Sequence, residues 1–327
     1  MRSIPSSLVL LRRVAAALTA FVACAALAQE AYPNRPVQFI IPGTVGGGTY
    51  AIGRLFADRY QQQTGQAAVL ITAPGASGIV GVQKVAQAKP DGYTVLFGFN
   101  QLVAMNPHLL RNLHYDVERD LRPVSLLAEG AYVWLANSGF APNTVPEWIA
   151  YAKANPKKVS FATSGAGSAA NLGAELFMGM TGTEMLHVPY KGDPTVDLLA
   201  GIVQLRMEPY ATALNLLKTG RVKALAVTGS TRLASLPEVP AMAEFLPGYA
   251  IPVSYSIWVP SATPKAVVDK LHADLSRIAA LPEVAEKLAT LSVRGVGSTP
   301  DSLLSATRAE SGIWKQLIAE RHISVEP

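Results

Sequence analysis

The chain has 327 residues, 28 basic and 23 acidic side chains, a formal charge of +5 and one cysteine. A lone cysteine excludes an intrachain disulfide framework, and the five histidines (His108, His114, His187, His272, His322) include no i,i+4 pair, so no zinc signature is present. The chain is long enough to be stabilised by its own core.

The first 28 residues read as a secretory signal peptide. Arg2, Arg12 and Arg13 form a basic start, Val14 to Leu27 is apolar, and Ala26-Leu27-Ala28 fits a cleavage site that leaves Gln29 first. The apolar run is too short to span a membrane as a helix. Two rival readings fit less well. Cys24 as a lipidated cysteine has Phe21 where an aliphatic residue is usual, and Arg12-Arg13 as a twin-arginine signal has poor flanks. Without this segment 25 basic residues face 23 acidic ones, so the charge excess that would point to nucleic acid disappears. A secreted protein is expected.

From there strand-like and helical patterns alternate. Apolar runs occur at 37–41, 68–71, 94–98, 132–136, 159–163, 185–189, 203–207 and 222–227; helical periodicity occurs at 51–63, 79–88, 145–154, 169–180, 194–200, 211–219 and 265–279. This alternation predicts an α/β fold with parallel sheets covered on both faces, and the length favours two sheets over one. Segments 123–137 and 249–260 are extended, apolar and bracketed by prolines. They read as two connections crossing between lobes: lobe one 29–126 plus 250–327, lobe two 127–249. The alternative is that both are ordinary strands of one large sheet.

Three strand–loop–helix stretches carry a Gly/Ser/Thr loop: 41–60, 72–81 and 163–177. The first resembles a dinucleotide fingerprint, Gly46, Gly48, Ala51, but residues 59 to 90 contain only Arg59 and Lys84/Lys89-type charges before Asp91, with no acid to hold a ribose. No Gly-Lys-Ser/Thr closes a P-loop and no G-x-S-x-G elbow occurs. Taken singly, each loop reads as a capped turn. The recurrence of three at strand ends, each opening a helix with unpaired N–H groups and a partial positive charge, points to a small anion. Candidate contacts are Gly43, Thr44, Gly47, Gly48, Thr49 and Tyr50 in the first loop, Ser77 and Gly78 in the second, and Thr163, Ser164 and Ser168 in the third. Asn100, Tyr190 and Glu208 follow other strands or motif segments and join the candidates. Arg54, Lys191 and Arg206 either assist or are solvated surface charges. No cofactor, metal or catalytic residue is expected.

The ordered set of segments resembles the Bug family, the solute-binding receptors of tripartite tricarboxylate transporters. It comprises "YPNRPVQFIIP", the glycine loops, "KPDGYTVLFG", "NPHLLRNLHYDVERDLRPVSLLA", "HVPYKG", "GRVKALAVTGSTRLASLPEVPAMAE" and "PSATPKAVVDKLHADL", and covers nearly all of the mature chain. The resemblance implies a two-lobed class II periplasmic-binding-protein (Venus flytrap) fold with the ligand cleft between lobes, capture of a small carboxylate, a membrane permease as partner and a monomeric receptor. Cleft positions depart from the family pattern. Tyr50 stands in place of an acid, Glu208-Pro209 in place of an Asp-Asn pair, Asn171 in place of a histidine and Ser254 in place of a tryptophan; Thr72, Ala73, Ser77, Ile79 and Val80 depart in the second loop. With Phe99, Tyr190, Tyr210 and Tyr255 near motif segments, an aromatic or long-chain mono- or dicarboxylate is favoured over an amino acid. Alternatives are a periplasmic dehydratase-like enzyme using Glu208 with His187, or a sensory receptor.

Overall fold

The computed structural model describes residues 32–325 apart from positions 44, 46, 47, 76, 77, 111, 112 and 324. The expected signal segment, and Thr44, Gly47 and Ser77 among the expected contacts, lie outside the described residues.

The first half of the molecule is built on β1 (Val37–Ile41), which lies between β2 (Ala68–Thr72) and β3 (Thr94–Phe99), parallel to both. β1 and β3 are apolar and almost wholly buried, as central parallel strands must be when helices cover both faces. Helix α1 (Gly48–Thr64) presents Ile52, Phe56 and Tyr60 on one face to this sheet. It lies close because position 53 is glycine: a Cβ there would sit 2.6 Å from Ile41 Cδ1. Helix α2 (Ile79–Ala86) follows β2. After β3 the chain turns through a π-helical segment, Gln101–Met105, into the short helices α3 (Asn106–Leu109) and α4 (Val117–Asp120).

The 17-residue strand β4 (Leu121–Asn137) then joins the two halves. Along 121–131 it pairs antiparallel with β9 (Pro252–Pro260), and along 132–137 with β7 (Leu205–Pro209) and β8 (Val222–Val227). At about 3.3 Å per residue such a strand is roughly 55 Å long, enough to be an interior strand of both halves. The second half places β5 (Ser160–Thr163) between β6 (Leu186–Pro189) and β7, all parallel, with helices α5 (Val145–Ala154), α6 (Ala169–Thr181), α7 (Thr195–Ala200) and α8 (Tyr210–Leu217). The strand order is β2-β1-β3-β9-β4-β7-β5-β6, and β8 and β10 (Val293–Gly295) also pair with β4. The two expected sheets are therefore one continuous sheet through β4, and its middle is antiparallel rather than parallel. The physical reason is that both crossing segments pair with each other, so their backbone groups are satisfied without a break.

Each half has its own core. Phe39, Phe56, Phe97, Ile257 and Leu271 centre the first; Trp134, Trp148, Phe161 and Phe177 centre the second, with Trp148 stacked on Phe177 at 4.0 Å between ring centroids. Beyond α9 (Lys265–Ala279), helices α10 (Pro282–Ala289) and α11 (Pro300–Glu320) complete the chain. Leu303 near the start of α11 packs with Ile40 and Trp258, whereas Trp314, Leu317 and Ile318 near its end join the Trp148–Phe177 core. The C-terminal helix thus spans both halves, as does the segment 102–109. No helix among the described residues is long and apolar enough to cross a membrane.

Candidate functional site

The three glycine/serine loops leave the carboxyl ends of β1, β2 and β5 and meet between the two halves. Pro42, Gly43, Pro74, Gly75 and Gly78 on one side face Ser164, Ala166, Gly167 and Ser168 on the other around a cavity of about 320 Å³. A second cavity of about 340 Å³ shares Gln101, Ser164 and Ser168 with it and continues to Asp193, Arg206 and Glu208. A third, about 470 Å³, shares Phe99 with the first and Tyr132 and Pro209 with the second, and is walled by Gly48, Thr49, Tyr210 and Tyr255. Together they form one cleft lined by both halves of the sheet.

The loops lie where they do for local reasons. Gly78, the N-cap of α2, has φ +88°, and a Cβ there would lie 2.4 Å from Leu102 Cδ2 and 3.2 Å from Pro42 Cβ, so only glycine lets the second loop lie against the first. The third loop is braced internally. Ser168 caps α6 by accepting from the Asn171 N–H, its hydroxyl donates to the Gly165 carbonyl at 2.8 Å, and Gly167 N–H donates to Asn171 Oδ1 at 2.9 Å. Thr163 Oγ1 accepts from Gly165 N–H and lies 2.6 Å from His187 Nε2. Helices α1, α2 and α6 all start at the cleft without an acid in their first turn, so their partial positive charges there are not cancelled.

The expected contacts divide accordingly. Gly43, Gly48, Thr49, Gly78, Thr163, Ser164, Ser168 and Glu208 line the cleft. Ser164 is exposed and its hydroxyl makes no hydrogen bond among the described residues, whereas that of Thr163 is committed to its own loop and to His187. Tyr50, Asn100 and Tyr190 do not line the three cavities. Tyr50 packs against the first core, and Tyr190 donates to Asp197 Oδ2 at 2.7 Å. Asn100 is 5% exposed and donates to Glu310 Oε1 at 2.6 Å and to the Pro252 carbonyl at 3.0 Å. It ties the end of β3 to β9 and α11, which sets the positions of its neighbours Phe99 and Gln101 in the cleft. Among the cations weighed, Arg54 pairs with Asp58 on the surface of α1, and of the three only Arg206 lines the cleft.

Arg206 Nε donates to Glu208 Oε1, and its NH1 donates to Asp193 Oδ1 and to Thr195 Oγ1, each at 2.8 Å. Burial pushes the Glu208 carboxyl above the ordinary carboxylate range, and the Arg206 charge opposes but does not cancel that shift. Across the cleft, Tyr255 is 6% exposed and burial moves its hydroxyl up to about 12. Neither it nor the Tyr132 hydroxyl makes a hydrogen bond among the described residues, so both are donors available to a ligand.

Residues 52–323 match the family described as the tripartite tricarboxylate transporter family receptor. The chain belongs to that receptor family. It is 31% identical over 316 residues to BugT of Bordetella pertussis, covering 94% of this chain and 97% of BugT. Among solved structures it is similar to R. palustris Rpa4515 with adipate, at 29% identity and TM-score 0.79, covering 90% of this chain and all (100%) of that one. It is also similar to MatC (Rpa3494) from Rhodopseudomonas palustris with bound malate, at 27% identity and TM-score 0.75, covering 88% and 100%. The two-lobed α/β fold expected from the resemblance is therefore the fold of this receptor, and receptors of the family are periplasmic binding proteins rather than enzymes. His187 does not line the three cavities; it stacks on Phe161 at 5.1 Å, and burial lowers its pKa.

Sequence reasoning missed Gln101, Tyr132 and Asp193 as lining residues of the receptor cleft. Gln101 had a usable signal, since it follows the end of a parallel strand as the glycine loops do; the structure adds that it opens a π-helical turn, a form frequent at functional sites. Leu291 and Val293 also reach the third cavity and carry no local signal.

Proposed function

We propose that this receptor captures a small carboxylate, aromatic or long-chain, for the membrane permease of a tripartite tricarboxylate-type transporter. The observation that carries the reading is the convergence of three helix starts and their loops on one cleft that continues into an aromatic chamber. The chamber walls include Phe99, Tyr132, Tyr210 and Tyr255, and no charged side chain among the described residues lines it. A carboxylate held by backbone N–H groups and by Ser164 and Thr49 would place a ring or chain against these faces. Four to six charge-assisted hydrogen bonds at about 1.5–3 kcal/mol each offset association and closure enough for micromolar binding. Family relatives with adipate or malate bound support the carboxylate class.

The reading takes 29–126 with 250–327 as lobe one and 127–249 as lobe two, export through the segment 1–28, and a single copy as the working unit. Ligand-stripped protein tested by calorimetry against benzoate-, phthalate-, adipate-, malate- and glutamate-like acids checks it. Tightest binding by an aromatic or long-chain acid is expected; preference for glutamate or aspartate refutes the ligand class, and silence toward every carboxylate refutes the receptor reading. Mass spectrometry of exported protein should show Gln29 first and no lipid.

A further inference from the structure

The charge on the second-lobe wall of the cleft is unbalanced. Asp193, Arg206 and Glu208 are the charged side chains among the described residues that line the three cavities, two acids against one base. The guanidinium is committed to both acids and to Thr195, and its side chain is 11% exposed. Glu208 uses one oxygen for Arg206; its other oxygen has no hydrogen-bond partner among the described residues. Tyr132, which lines both this cavity and the adjoining chamber, shares the wall with Glu208. In the adjoining chamber the groups free to meet a ligand are hydroxyls and amides: Thr49, Tyr132, Thr212, Asn215 and Tyr255.

We propose that Glu208, with Asp193, makes the cleft select a monocarboxylate whose far end is uncharged or donates hydrogen bonds, and reject a second carboxylate. The inference rests on the carboxylate-receptor reading above and narrows it. One carboxylate is accommodated at the helix starts, where positive partial charges gather. A second carboxylate reaching past Gln101 and Tyr132 meets a wall of net charge −1 with its only guanidinium already neutralised. In a desolvated cleft that like-charge approach is weakly screened. A hydroxyl, amide or protonated amine at the same place instead finds the open lone pairs of Glu208. This sets the receptor apart from its relatives with adipate and malate bound, both of which hold a dicarboxylate.

The test compares ligands that differ only at the far end: adipate against its monoamide, and terephthalate against its monoamide, each measured by calorimetry on ligand-stripped protein. Wild type should bind each monoamide at least about tenfold more tightly than the matching diacid. Glu208→Gln keeps an oxygen for Arg206 while removing the charge, and should move that ratio about tenfold toward the diacid. Asp193→Asn, at a largely exposed side chain, should move it the same way by less. The ratio is the readout, because a purely structural lesion lowers both affinities together. A wild type that binds the diacids as tightly as the monoamides overturns the inference while leaving the receptor reading intact, as does a ratio unmoved in both variants. Absence of binding by all four acids overturns the inference; only silence toward the wider carboxylate panel as well overturns the carboxylate-receptor reading with it.

Discussion

At the residue scale the cleft is organised by a few side chains that do not touch it. Glu310 on α11 is a half-buried carboxylate without a cation partner among the described residues, held by hydrogen bonds from Asn100 Nδ2 and from Trp314 Nε1 at 3.1 Å. Burial pushes its pKa above the ordinary 4.5. The folded state therefore holds this proton more tightly than the unfolded chain. Its contribution to stability is fully present below pH 4.5 and falls as pH rises from there through the raised folded value. Glu310→Gln should keep an acceptor for both donors, flatten this dependence and match or exceed wild-type stability at pH 7. Glu310→Ala should lose about 1–3 kcal/mol by orphaning two buried donors. Thermal melts from pH 4 to 8 check both; a wild type and Gln variant with parallel pH profiles would be the contrary result. Ser164 is the opposite case, with an exposed hydroxyl lining two of the cavities. Ser164→Ala should weaken carboxylate binding about ten- to a hundredfold and leave the unliganded melting temperature unchanged, since one hydrogen bond to a charged group is worth about 1.5–3 kcal/mol.

At the scale of elements, helix starts line the proposed anion site and α11 ties the two halves. Ser168→Ala removes the N-cap of α6 and the bond to Gly165, so both stability, by about 0.5–2 kcal/mol, and affinity should fall. That double loss, read by melting and calorimetry, separates a braced loop from the free hydroxyl of Ser164. Trp314 is 1% exposed in the second core although its helix begins against Ile40 and Trp258 in the first half. Trp314→Ala should cost about 3–5 kcal/mol, measured by denaturant unfolding. The longer helices of the first 280 residues were legible from their apolar faces, with a capping side chain as a further signal at Thr144 and Ser168; the short turns of helix at 101–109 and 117–120 were not, being too brief to show a period. The antiparallel middle of the sheet was not: alternation of strands and helices predicts parallel pairing, and 123–137 and 249–260 carry the same apolar pattern whichever neighbour they take.

At the scale of the whole molecule, binding should close two halves around the ligand, and closure is coupled to stability. Ligand at 100 times its Kd adds about 2.7 kcal/mol, which for a chain of this size is several degrees in Tm. A favoured acid should produce that shift together with a smaller radius of gyration in solution scattering. A shift with no change in radius would mean that the cleft binds without closing.

The amino-acid sequence by itself determined the units of this receptor: strands from apolar runs, glycine loops at their ends, helices with uncharged starts, and the ordered segments that carry the family. These are local properties, fixed by backbone sterics, capping and burial over a few residues. Only the tertiary structure decided which units meet. Arg206, Glu208 and Asp193 share a wall because the turn after β6 lies beside the end of β7. Tyr132 and Tyr255 share a chamber because β4 and β9 run side by side through the middle of the sheet. Tyr50 and Tyr190, aromatic and near the right motifs, are turned elsewhere by packing in their own halves. A side chain's charge or ring is written in its own position, but its neighbours are set by strand order, and strand order is a property of the whole chain.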